Sequence, residues 1–309
     1  MITIYKSSEN GLITLSQPVN NSWINVVNPT PEEISQIHAL GIPQDYITYP
    51  LDLDERARTE RENGAVLIVL RIPHVQGHEA DIPFTTIPLG IILTEQYIIS
   101  VCKMENDMCK EFSNGKAREI STAKRFRFVL RILLHTANKY LTYLREITKA
   151  VDLLEDQLQQ STRNREVLGL LKYQKSLTYF TTALKSNELM MERLSRSQLL
   201  KTYPEDEDLL EDVLTENQQA IEMTNITSNI LSSMMDAFAS IISNNLNGVM
   251  KFLAAVTILL AVPSMVAGFF GMNVHLPMEA HPFAFELILV ISVLISLGAA
   301  YLFWKRDWM

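Results

Sequence analysis

Polar and apolar positions follow three regimes along the 309-residue chain. Up to about residue 120 the apolar residues come in short β-rich runs, Trp23–Val27, Ala65–Ile72, Thr86–Leu93 and Tyr97–Val101, each broken by turn residues. Gly90–Leu93 and Tyr97–Val101, joined by Thr94, Glu95 and Gln96, read as a hairpin or bulged turn. Thr30-Pro31-Glu32-Glu33 reads as a helix start, with a Thr cap, Pro at the first helical position and Glu three residues after the cap. The pattern predicts an α/β domain over residues 1–120.

Beyond Ser121 the strand signals vanish. Phe126, Val129, Leu133, Ala137, Tyr140, Leu144, Ile147, Val151, Leu154 and Leu158 keep helical spacing to about Gln160. Ser161-Thr-Arg-Asn164 breaks it, and a second helical stretch reaches about Tyr203. Pro204 then resets the chain, and Glu205, Asp206, Glu207 and Asp208 place acid in a first turn, where the helix dipole favours it. The spacing predicts one helix from about Asp206 to Phe270, roughly 95 Å long at 1.5 Å per residue. Leu210, Val213, Asn217, Ala220, Thr224, Thr227, Leu231, Met234, Phe238, Ile241, Asn245 and Gly248 mark a heptad seam on it, interrupted by polar residues. Two readings fit that seam: an ordinary bundle whose polar residues set register, or identical helices around a wet axis.

The third regime is two apolar runs, Phe252–Phe270 and Leu287–Trp304, free of Lys, Arg, Asp and Glu. Each is long enough to cross the roughly 30 Å hydrocarbon layer. Lys251 precedes the first run, Lys305 and Arg306 follow the second, and residues 274–285 between them hold no Lys or Arg. The positive-inside rule then puts both ends in the cytoplasm and the loop outside. Met1-Ile-Thr-Ile-Tyr-Lys6 lacks the basic-then-apolar order of a cleaved signal, so the soluble part is expected to stay cytoplasmic. The expected organisation is an α+β membrane protein. It has a cytoplasmic α/β domain (1–120), a helical stalk (121–246), a pore-lining first transmembrane helix (247–272) and an extracellular loop (273–283). A second transmembrane helix (284–304) and a basic tail (305–309) complete it.

Charge and composition narrow the function. A net charge of -8 and pI near 5.3 argue against a nucleic-acid partner. Cys102 and Cys109 lack metal-site spacing and read as inert thiols of a reducing compartment. No phosphate-cradling Gly loop, nucleophile elbow or His-Glu zinc motif appears, so the chain does not read as an enzyme and no organic cofactor is expected.

Along the first apolar run, Asn247, Met250, Ala254, Thr257, Ala261, Ser264 and Gly268 form one small or polar stripe. Phe252, Val256, Leu259, Leu260, Val266, Phe269 and Phe270 form a bulky one. From spacing alone, close helix packing and a pore wall both account for the small stripe. Phe270-Gly271-Met272-Asn273 at the outer end of this run, Asn247-Gly-Val-Met-Lys-Phe-Leu253 upstream, and Lys305-Arg306-Asp307-Trp308 resemble the CorA-type magnesium transporters. The architecture corresponds over the whole chain, the motifs over about the last 65 residues.

The resemblance implies a homopentamer in the cell membrane whose first spans line a pore, turning the small stripe inward. Gly271, Met272 and Asn273 would form the outer filter, where neutral oxygens hydrogen-bond the water shell of a small, hard cation that dehydrates reluctantly. Met250 and Leu253 match an apolar constriction, Asn247 a polar ring below it and Ser264 a hydroxyl position higher up. The chain departs from the family pattern at Ala261 and Pro263 and in the outer loop, where Glu279 is the only carboxylate beside His275 and His281. The resemblance also implies gating by intracellular Mg2+. Asp212 matches a regulatory position, Glu211, Asp208 and Glu205 lie near it by spacing, and Asp52, Asp54 and Asp81 are candidate partners. The expected cargo is Mg2+, with Co2+ and Ni2+ as poorer substrates. The alternatives are a Zn2+ transporter of the same architecture and a membrane-anchored ligand sensor.

Overall fold

A computed structural model describes residues 1–8, 11–77, 79–113, 121–160, 164–197, 204–272, 283–306 and 308. Met1–Met234 forms one compact unit and Met235–Met309 a second.

The first unit is built on a seven-stranded mixed sheet. Its strands are β1 (Ile2–Ser8), β2 (Gly11–Leu15), β3 (Ser22–Val27), β4 (Arg58–Glu62), β5 (Ala65–Val75), β6 (Phe84–Leu93) and β7 (Tyr97–Cys102). Their order is β2-β1-β3-β7-β6-β5-β4, with β3 and β7 parallel and every other neighbour antiparallel. The expected hairpin is β6–β7, in register from Gly90 opposite Val101 to Leu93 opposite Ile98.

The central strands are buried on both faces, which is why β5 reads as an unbroken apolar run rather than an alternation. Val66, Ile68, Leu70 and Ile72 enter one core, while Ala65, Leu67 and Val69 enter the other. The second core is closed by α1 (Pro31–His38) and α2 (Gln44–Thr48), followed by a 3-10 turn at Tyr49–Leu51. Helix α1 begins as its sequence predicts, with Thr30 Oγ1 accepting from Glu33 N and Glu33 Oε2 accepting from Thr30 N. Gly90 is fixed by contact: a Cβ there would lie 2.1 Å from Pro50 Cγ.

The other face is covered by α4 (Arg125–Gln160) and α5 (Asn164–Arg196), with the short α3 (Asp107–Ser113) beside α4. The predicted α4 stripe faces inward: Val129, Leu133, Ala137, Tyr140, Leu144, Ile147, Val151 and Leu158 are all buried. Cys102 is a buried free thiol, pushed up from its usual range by burial, and donates to the Pro88 carbonyl. The side chain of Cys109 lies outside the described residues.

Helix α6 (Pro204–Phe270) is the long predicted helix. Leu210, Val213, Asn217, Ala220, Thr224, Thr227, Leu231, Met234 and Phe238 are buried within the single chain. Over this length the seam is the ordinary bundle face, and the reading of identical helices around a wet axis does not hold there. Its polar members are satisfied locally: Thr224 Oγ1 donates to the Ala220 carbonyl, Thr227 Oγ1 to Met223, and Asn217 Nδ2 to Leu184. Ile241, Asn245 and Gly248 are exposed.

The second unit contains the rest of α6 and α7 (Ala284–Lys305). Both helices are long and apolar enough to cross a membrane, and their outward apolar side chains are exposed, as lipid-facing surfaces require. At the end of α7 Tyr301 lies against Trp304 and Phe303 stacks on Trp308, beside Lys305 and Arg306, the residue types that favour a membrane interface.

Candidate functional site

Helix α6 carries the residues singled out by sequence, and its start is pinned. Arg127 on α4 donates through Nε to Asp206 Oδ1 at 2.6 Å and through a terminal nitrogen to Glu205 Oε2 at 2.7 Å. Asp206 is buried, and the guanidinium holds the Glu205 carboxyl below its ordinary range. Glu205 is therefore engaged in a structural ion pair. Arg127 went unnoticed in the sequence because its partners are 78 and 79 residues away.

Asp208, Glu211 and Asp212 are exposed, on the side of α6 away from its buried seam. Their hard carboxylate oxygens suit Mg2+. Asp52, Asp54 and Asp81 are exposed as well, with Asp52 Oδ1 taking the Asp54 amide. Among the described residues no three His, Cys, Asp or Glu side chains converge on a point that would hold a metal ion. The fold of one chain does not bring these acids together.

In the second unit Asn247, Met250, Leu253, Ala254, Thr257, Ala261, Ser264 and Gly268 are all exposed. Thr257 Oγ1 donates to the Leu253 carbonyl at 2.8 Å, and Ser264 Oγ to Leu260 at 2.9 Å. Each hydroxyl hydrogen is thus spent on the helix, leaving oxygen lone pairs outward to accept from water. Pro263 has no N–H to return to Leu259, and the Ser264 bond satisfies the neighbouring carbonyl of Leu260. A stripe of hydroxyls, small side chains and one glycine can line a wet path past a hydrated cation without binding it tightly.

The helix ends at Phe270, and Gly271 N still donates to the Ala267 carbonyl at 3.0 Å. Gly271 does not adopt the left-handed conformation of a helix-terminating glycine. A Cβ here would lie 3.3 Å from the Ala267 oxygen, so what glycine supplies is space rather than an unusual φ. Met272 is exposed. Asn273, His275, Glu279 and His281 lie outside the described residues.

A feature of α7 also went unread. Ser292 and Ser296, one turn apart in an otherwise apolar span, face a groove of about 730 Å³ against α6. The hydroxyls at i and i+4 were the available signal.

Residues 20–306 match a family described as CorA-like Mg2+ transporter protein. The cobalt/magnesium transport protein CorA of Methanocaldococcus jannaschii is 29% identical over 299 residues, covering 93% of this chain and 91% of that one. The complete structure of the CorA magnesium transporter from the same organism superposes with a TM-score of 0.86 at 26% identity, over 100% of this chain and 99% of that one. The cytoplasmic domain of ZntB from Vibrio parahaemolyticus aligns at a TM-score of 0.62 and 13% identity, over 78% of this chain and 98% of that one, a likeness of fold alone. With a match over nearly its whole length and the same succession of α/β domain, long helix and two apolar helices, the chain belongs to the CorA-like Mg2+ transporter family.

Proposed function

We propose that the protein is a homopentameric, channel-like transporter that carries Mg2+ into the cytoplasm, with Co2+ and Ni2+ as poorer cargo. The observation that carries this reading is the family match over residues 20–306, together with an exposed small and hydroxylated stripe on α6 that runs up to Gly271. Five first spans (247–272) surround the axis with that stripe inward. Five Asn273 side chains, beside Gly271 and Met272, hold the hydrated ion at the outer rim. Met250 and Leu253 form the apolar constriction that blocks ions by excluding water, and Asn247 forms a polar ring beneath it.

The remaining assignments follow. Residues 1–120 and the stalk (121–246) lie in the cytoplasm with both termini, the loop (273–283) outside, and the second span (284–304) and basic tail (305–309) complete the subunit. Glu279 is the loop's carboxylate for entering cations. Internal Mg2+ closes the pore by bridging Asp212, with Glu211 and Asp208, to acids of a second copy, in keeping with the absence of such a cluster among the described residues of one chain. The driving force is electrical: a double positive charge gains about 4.6 kcal/mol per 100 mV on moving inward.

Liposomes loaded with a Mg2+-sensitive dye test the reading. Asn273→Ala and Gly271→Ala should abolish or strongly reduce influx, and Asp212→Ala should sustain it at high internal Mg2+. Influx unchanged by either filter substitution rejects the filter, and Zn2+ outcompeting Mg2+ transfers the protein to zinc.

A further inference from the structure

Proline at position 263 creates a chemical debt inside the bilayer that the helix settles only in part. Of the two carbonyls nearest the break, Leu260 receives the Ser264 hydroxyl. Leu259 loses the N–H that any other residue at 263 would supply. An unsatisfied carbonyl in hydrocarbon costs several kcal/mol, so a partner is required.

The groove between α6 and α7 supplies the chemistry. Leu259 and Pro263 line one wall, and Ser292 and Ser296 line the opposite wall. Ser292 is 7% exposed. The Ser296 hydroxyl oxygen is fully buried with no hydrogen-bond partner among the described residues. The rest of the lining is apolar, including Val266, Phe270, Phe285 and Ile288. A groove of about 730 Å³, apolar except for the two serines and bordered by the residue whose carbonyl Pro263 frees, offers the room and the polar partners that an ordered water needs.

We infer that this groove holds a structural water bridging the Leu259 carbonyl to Ser292 and Ser296. Ser292 and Ser296 are thereby positioning residues, coupling α7 to the break that Pro263 makes in the hydrogen-bond ladder of α6. The inference rests on α6 and α7 being membrane spans and is independent of which ion is carried.

The test is a double-mutant cycle on the full-length protein. Pro263→Ala restores the N–H to Leu259, so the serines lose their acceptor. Ser292→Ala/Ser296→Ala should lower the thermal midpoint in detergent and change Mg2+ influx about threefold when Pro263 is present. The same pair should have no effect in the Pro263→Ala protein, whereas the conservative Ser296→Thr should behave as the parent. X-ray radiolytic labelling reads the water itself: modification of Ile288 and Leu289 should fall in the serine-to-alanine protein. Equal effects of the serine substitutions with and without Pro263, or unchanged labelling, would overturn the inference. The thermal midpoint and the labelling are read without transport, so failure of the cargo assignment leaves this result separately visible.

Discussion

Arg71 carries more of the soluble unit than its place at the end of an apolar strand suggests. Strand β4 begins at Arg58, opposite Val69, so the backbone of Arg71 stands past the end of that ladder. Asn187 of α5 takes the ladder's place: its Oδ1 accepts from Arg71 N at 2.9 Å and its Nδ2 donates to Arg71 O at 2.8 Å. The buried Tyr140 hydroxyl donates to the same carbonyl. The guanidinium reaches the other way, to the Leu53, Glu55 and Thr86 carbonyls. Asn187→Ala strands a backbone N–H in the interior and should cost about 1–3 kcal/mol, measured by denaturant unfolding. Two histidines set a pH dependence. His74 and His135 are both held below the ordinary 6.5, burial being the larger cause, with Asp107 and Glu111 opposing it. The unfolded chain therefore binds more protons than the folded one, and the stability these groups contribute above about pH 6.5 is lost as pH falls below it. Thermal midpoints should drop on acidification through pH 6, and His74→Gln/His135→Gln should flatten that drop.

At the scale of elements, periodicity located α4, α5, α6, α7 and strands β3, β5, β6 and β7, because burial on one stripe or on both faces leaves a direct imprint on residue choice; α1 was read from its cap, and α2, α3, β1 and β2 were not read at all. It did not reveal β4, whose Arg-Thr-Glu-Arg-Glu run has no apolar member and is a strand only because β5 offers it a ladder. Nor did it decide what the α6 seam faces. A heptad says that something packs on a helix, and only tertiary structure says whether that is the chain itself or a copy. The answer for Leu210–Phe238 is the chain itself, which leaves a different face for association. Ile226 and Ile230, 60% and 53% exposed, lie one turn apart away from that seam. If copies assemble through this face, Ile226→Asp/Ile230→Asp should shift the detergent-solubilised protein to smaller species in native mass spectrometry, with the far-ultraviolet circular dichroism of the chain unchanged. The stripe beyond Asn247 was legible residue by residue. The acids on α6 were legible as a charge cluster only, since no metal-holding group of three forms around them among the described residues.

At the scale of the molecule, a lone subunit leaves its key surfaces uncovered: the small stripe, the exposed acids and the isoleucine pair are all on the outside. The proposed pentamer would cover them by repetition around an axis. The sheet adds a consequence of another kind. One margin, β4, carries Arg58, Glu60, Arg61 and Glu62, so a second backbone approaching it must strip water from charge. The opposite margin, β2, is Gly-Leu-Ile-Thr-Leu with Ile13 half in solvent. Crowded preparations should therefore clump by lateral strand addition from one flank only, and Ile13→Lys should raise the concentration at which light scattering appears while leaving ion flux intact. Charge thus guards one flank of the sheet against fibres, and the other flank lacks it.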